Sequence, residues 1–267
     1  MYPTEKEKQL AYWKEALTEL PEPLELPGDA PRSLKFDFKG HELEHHFTEE
    51  FSEKCEGFCK EKGISNFTLF LATYGILLSA ISGREDFVIG APVAGRTIDK
   101  TQNICGPFIN TLPVRLQPEK KQTVDSWLQK VQQNIAAMLD NGEVSLEEII
   151  SLLNLPRGAQ NALYQVMMTQ SPVNEELFRL GTQKMNFRPI STGSVKMDMI
   201  CEMKKKQGAF VLTFSYATSI FKEETIAFYG RCMEQIIRSM MEDETTPVGK
   251  LILLSAEDQM QYIDLPN

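Results

Sequence analysis

Three histidines, His41, His45 and His46, fall within six residues of one another. A histidine positioned by a carboxylate is the usual general base, so this cluster is the first candidate for proton transfer. In an alternating strand His45 and His46 point to opposite faces, and His41 and His45 share one. The same pattern describes a polar edge strand. Cys55 and Cys59 stand four apart on one face of a helix. A zinc site needs two more ligands at similar spacing, and no second Cys/His pair is so arranged. With Cys105, Cys201 and Cys232 they make five scattered cysteines, which read as reduced thiols. Asp198 lies in an apolar stretch, where a carboxylate is costly unless paired. It is either part of a site or an anchor for hydrogen bonds. Gly90-x-x-x-x-Gly95 is followed by Arg96-Thr97, so a Walker phosphate loop is excluded. No Gly-x-Ser-x-Gly elbow occurs.

The elements that would carry these residues alternate along the chain. Thr4 to Leu20 has helical spacing, with Leu10, Trp13 and Leu17 on one face, and Pro21 and Pro23 stop it. Leu20 to Pro31 is a Pro/Glu-rich linker. Leu34–Phe38 and His41–Phe47 read as strands around Gly40. Thr48 caps a helix over Glu49–Lys62 that Gly63 ends, and Ser65 caps an apolar, buried helix to about Ser82. Phe87–Ala91 is a continuous apolar run of central-strand type, followed by a polar loop over 92–105. A strand over Pro107–Leu116, a helix from Thr123 to about Asp140 and a short helix over Ser145–Leu153 come next. Strands are expected at Leu163–Met168, Gln183–Pro189, Val195–Met203 and Ala209–Tyr216, the last two joined by a solvated tip at Lys204-Lys205-Lys206-Gln207-Gly208. A helix over Lys222–Glu242 closes the pattern. The fold class is α/β, a mixed β-sheet flanked by helices.

A chain of 267 residues is long enough to bury its own core. Its formal net charge of −9 argues against nucleic acid as the main partner. The first residues contain no apolar signal core, and the longest apolar stretch, Phe67–Ile81, is too short and mixed for a membrane span. The expectation is a soluble, cytoplasmic protein.

Three segments resemble a known family. They are Gly83 to Arg96 with its Gly90-Ala91-Pro92-Val93-Ala94-Gly95-Arg96, Cys105 to Arg115 with its Gly106-Pro107-Phe108-Ile109-Asn110-Thr111-Leu112, and Asn161 to Met168 with its Leu163-Tyr164-Gln165-Val166-Met167. Their order is similar to the later motifs of condensation domains of nonribosomal peptide synthetases. Gln9 to Lys14, Leu24 to Asp29 and Leu253 to Glu257 extend the likeness over nearly all the chain. The related epimerization domains read Phe-Asn-Tyr-Leu-Gly where this chain has Tyr164-Gln165-Val166-Met167, which favours condensation. Two segments depart from the pattern. The His/Asn-Gln-Asp-x-Pro-Phe-Glu motif reads Asn141-Gly142-Glu143-Val144-Ser145-Leu146-Glu147, and Ala162 replaces a proline.

The resemblance implies a lobe like that of chloramphenicol acetyltransferase. Residues 1–31 would be an inter-lobe helix and linker, and 32–267 the C-terminal lobe. The family's His-His-x-x-x-Asp-Gly belongs to the first lobe. The only His-His here, His45-His46, has Glu50 and Phe51 where Asp and Gly should stand, so no catalytic residue is assigned. The chain then looks like part of an amide-bond-forming acyltransferase, inactive alone, with a non-catalytic docking module as the alternative. Implied partners are the N-terminal lobe, peptidyl carrier proteins bearing phosphopantetheine and an adjacent adenylation domain, with no cofactor bound directly, no metal, no nucleic acid and no membrane. Residues implied at the tunnel or lobe interface are Arg96, Asn110, Gln165, Gln170, Ser194 and Asp198. Arg96 would meet a carboxylate across the interface, Asn110 would hold backbone or touch substrate, the two glutamines would line the channel, and Ser194 would face the acceptor. Asp198 matches the family's Lys-Phe-Asp.

Overall fold

A computed structural model describes residues 4–32, 36–95, 104, 106, 108–155, 163–171, 179–180, 182–184, 190–255 and 258–259. Local capping sets most helix ends. Helix α1 (Glu5–Ala16) starts at a capping box of Thr4 and Glu7. Thr48, Ser65 and Thr123 each accept a backbone N–H at the start of α2 (Glu49–Lys62), α3 (Asn66–Ser82) and α4 (Val124–Asp140). Gly63 and Gly83 take left-handed φ at the ends of α2 and α3, where a side chain would strain the turn. Ser145 and Glu148 form a second capping box at α5 (Leu146–Leu152). Helix α6 (Glu223–Glu242) has no cap from its own Lys222. The Asp29 carboxylate substitutes, accepting from the Lys222 N–H at 2.7 Å and the Thr225 hydroxyl at 2.9 Å.

The strands are β1 (Gly40–His46), β2 (Phe87–Ala94), β3 (Ile109–Leu116), β4 (Val166–Gln170), β5 (Arg179–Leu180), β6 (Gln183–Lys184), β7 (Met199–Lys206) and β8 (Ala209–Ala217). Six of them form one sheet in the order β1-β8-β7-β4-β2-β3, and β5–β6 pair separately. The β2–β4 and β4–β7 pairings are parallel and the others antiparallel. One sheet face is buried: Met199, Cys201 and Met203 of β7 and Phe210, Leu212 and Phe214 of β8 lie in the core with α3's Leu71, Tyr74 and Leu78. Burying about ten such side chains drives the sheet and helices together, at roughly 1.5–3 kcal/mol each before entropy is charged. No single described helix is long and apolar enough to cross a membrane.

Several element edges differ from the sequence expectation. Phe36–Phe38 is not a strand, and residues 33–35 lie outside the described set. Strand β2 runs on through Pro92–Ala94, β4 starts at Val166 and β7 at Met199, because a strand begins only where a neighbour is present to pair with it. Of the expected strand 183–189, only 183–184 are described. The lysine tip is solvated as expected, with 205–208 exposed. Gln207 and Gly208, both at positive φ, make the two-residue turn, while Lys204 and Lys205 pair with Glu44 at 2.5 Å and Glu56 at 2.6 Å.

Candidate functional site

The parallel strands give the sheet two distinct ends. At the carboxyl ends of β2 and β4 the start of β3 faces the α4–α5 connection across an open cleft of about 570 Å³. Asn110 of β3 builds the cleft wall. Its amide donates to the carbonyls of Gly142 at 3.0 Å and Val144 at 2.8 Å. From the other side Trp13 of α1, 1% exposed, donates its indole N–H to the Asn141 carbonyl at 2.8 Å, and the buried Gln9 accepts from the Glu143 N–H at 3.1 Å. The connection is thus held by side chains from two elements, which pre-organises the wall without ordering cost on binding. Tyr164 and Thr111 share a hydrogen bond beside the cleft. Burial pushes the Tyr164 phenol up to about 12, with the Glu147 charge adding to the shift and Thr111 opposing it. The Tyr164 ring lies over Gly90, where an added Cβ would fall 2.5 Å from it. Gly90 is required for that close approach.

The opposite end, at the amino termini of β4 and β7, is closed by a strap. Leu24 and Leu26 are buried, and Asp29 caps α6. Arg32 donates to Asp198 at 2.6 Å and to the Leu26 carbonyl at 3.3 Å. Asp198 is 4% exposed, its N–H donates to the Gln165 carbonyl, and its own carbonyl accepts from the Ala217 N–H. Arg115, where β3 ends, makes a two-pronged bond to Asp86 and donates to the carbonyls of Ala16, Thr18 and Glu19. Of these only Ala16 belongs to α1, which ends there, short of the expected Leu20; Thr18 and Glu19 lie in the turn beyond, where Glu19 takes a φ of 50° that a helix cannot continue through.

The histidines sit at the other edge of the sheet. β1 and β3 are separated by five strand spacings, about 24 Å. His45 meets Glu234 of α6 at 3.1 Å, with Phe47 edge-on to its ring and Gly230 packed against it. His41 and His46 are exposed near Glu223 and Glu44. The cysteines Cys55, Cys59, Cys201 and Cys232 are buried free thiols, and burial pushes Cys55, Cys59 and Cys232 up to about 12. Among the described residues no group of three or more His, Cys, Asp or Glu is placed to hold a metal.

The condensation-domain family model matches residues 3–263. The chain belongs to the condensation-domain family. It is 27% identical over 261 residues to gramicidin S synthase 2 of Brevibacillus brevis, covering 96% of this chain and 6% of that protein. Its fold is similar to that of holo-AB3403, a four-domain nonribosomal peptide synthetase bound to AMP and glycine, with TM-score 0.86, 22% identity and coverage of 97% of this chain and 21% of the other. It is also similar to the X-domain of teicoplanin biosynthesis in its complex with OxyB, with TM-score 0.82, 18% identity and coverage of 94% and 56%. This condensation-domain chain therefore spans a small part of the curated relative and about half of the solved X-domain chain. The mixed sheet with flanking helices is the fold these condensation-domain structures share.

Within this condensation domain the residues singled out from sequence do not gather in one place. Asn110 lies at the cleft end. Gln165 and Gln170 bracket β4, about 17 Å apart, so Gln170 is at the cleft end and Gln165 beside Asp198 at the other. Gln170 is exposed near the α2–α3 junction. Ser194 is exposed, with its hydroxyl 2.8 Å from that of Thr192 and its backbone bridged to Lys39. Arg96 lies outside the described residues. Sequence reading gave no site role to Arg32, Arg115, Trp13 or Glu147. Arg115 and Trp13 stand inside the family-like segments 105–115 and 9–14, and Glu147 keeps the final Glu of the motif altered over 141–147, whereas Arg32 carried no signal.

Proposed function

We propose that the chain is the C-terminal lobe of a condensation domain and forms one wall of a tunnel whose catalytic histidines lie in a complementary first lobe. On this reading residues 1–31 are the inter-lobe helix and linker, and 32–267 the lobe itself. Two carrier proteins present thioesters on phosphopantetheine arms. The acceptor amine attacks the donor thioester carbonyl, forming the amide and releasing the donor carrier's thiol. Holding both arms in one tunnel replaces a bimolecular encounter by a unimolecular one, so positioning supplies much of the rate. The single observation that carries the reading is the match to the condensation-domain model over 3–263 in a chain that contains no His-His-x-x-x-Asp-Gly. His45, the residue nearest to that motif, is committed to Glu234 at the far edge of the sheet. An adjacent adenylation domain and a cytoplasmic location belong to the same proposal. Mixing the chain with a matching first lobe and loaded carrier proteins tests it. Dipeptide should form only in the mixture, and no dipeptide where the intact domain works sinks the reading.

A second reading is a non-catalytic docking module. The fold similarity to an X-domain solved in complex with OxyB favours it. It predicts binding of a carrier or neighbouring domain, seen as chemical-shift changes, with no dipeptide in any mixture.

A further inference from the structure

The cleft between β3 and the α4–α5 connection has an apolar side and a polar side. Its apolar side is made by Phe108, Ile109 and Leu146, and Ile109 is 77% exposed at the mouth. A large aliphatic side chain left in water beside a pre-formed cleft is surface that a ligand would cover. The polar side holds two carboxylates, Glu143 and Glu147, and no cationic residue is among the described lining residues. The neighbouring Glu148 is already used, in the α5 capping box and an ion pair with Lys6. Glu147 makes no hydrogen bond or ion pair among the described residues, yet its charge reaches the Tyr164 phenol beside the cleft. Asn110 and Thr111 are committed to Gly142, Val144 and Tyr164, so they shape the cleft and leave recognition to its apolar wall and acidic rim.

We propose that this cleft receives a substrate side chain with an aliphatic stem and a terminal primary ammonium, of lysine or ornithine type, with Glu147 as its counter-charge. The stem would cover Ile109 and Leu146 while the ammonium stays at the wet rim beside the carboxylate. The inference rests on the condensation reading, because it names the class of residue joined, but its binding test does not.

The test uses N-acetyl-lysine methylamide and N-acetyl-norleucine methylamide, which differ chiefly by the terminal ammonium. Each is titrated into the chain at low ionic strength and followed by backbone amide shifts. The lysine probe should bind at least about threefold more tightly, the size expected of an exposed ion pair, and lose that margin at 0.5 M salt. Shifts should fall on 109–111 and 142–147. Glu147→Gln should abolish the preference with unchanged affinity for norleucine, while Glu53→Gln on α2 leaves the preference intact. Equal affinity for the two probes, a preference that survives Glu147→Gln, or shifts elsewhere overturns the proposal. In the two-lobe mixture, dipeptide formed equally well with lysine and norleucine at both the donor and the acceptor position sinks this inference and leaves the condensation reading standing. Selective lysine binding with no dipeptide in any pairing does the reverse.

Discussion

The two ends of the sheet use similar residues to opposite effect. At the strap end Asp198, Arg32, Asp29, Asp86 and Arg115 are spent on one another or on backbone carbonyls and N–H groups. These five charges are all paired, and the end is closed. At the cleft end Asn110, Trp13 and Gln9 are likewise spent, but on a single connection, and they leave a rigid open cleft rimmed by carboxylates. A buried polar side chain therefore does not by itself mark a site. The site is where such residues fix a wall and leave a neighbouring charge unpaired.

Substitutions from each end sharpen that contrast. Trp13→Ala should have the largest effect, about 3–5 kcal/mol of unfolding free energy, from a lost core indole and an orphaned Asn141 carbonyl. Urea unfolding measures it, and a loss under 1 kcal/mol would mean α1 is not part of the wall. Asp198→Ala should cost about 2–3 kcal/mol, below the range for a fully buried pair because Arg32 is 32% exposed. A double-mutant cycle with Arg32→Met should show coupling between the two, while amide shifts at the cleft stay put. If the cleft shifts move, the ends are not independent. Asn110→Ala should cost about 2 kcal/mol by leaving two carbonyls without their donor. Hydrogen exchange should rise selectively over 141–145, and uniform exchange would remove Asn110 from the wall.

Smaller effects belong to the strap and to the histidine edge. Asp29→Ala removes a cap supplied from outside α6 and should cost about 1 kcal/mol, with faster exchange at the first turn of that helix. The smallest effect concerns Glu234. Its carboxyl is held below the ordinary range first by the hydrogen bond with His45, opposed by burial and helped by Arg238. A depressed folded pKa stabilises the protein above the unfolded value of about 4.3, and the gain is lost as pH falls through the folded pKa. His45→Ala should therefore cost under about 1 kcal/mol at pH 7. Its curve should converge with that of the parent once pH has fallen through the lowered pKa of Glu234, as urea midpoints against pH would show. Curves that stay parallel in acid would mean His45 acts through packing alone.

Much of the fold was legible because helix ends are local events. Thr48, Ser65, Thr123 and Ser145 are read where they stand, as are Gly63 and Gly83. Strand starts were not, since 163–165 and 195–198 carry the same apolar pattern as the strands they precede. The separation of Gln165 from Gln170 followed from strand period and rise alone, although a shared channel was expected of both.

Sequence by itself determined the element types, their caps, the family motifs and the absence of a His-His-x-x-x-Asp-Gly. Tertiary structure alone decided that Asp198 belongs to Arg32, 166 positions away, that Trp13 reaches Asn141 across 128, and that Glu147 stands at an open rim. The physical reason is range. Capping and side-chain periodicity act within a turn or a strand, whereas the partner of a buried charge is set by which distant segments the packed core brings together.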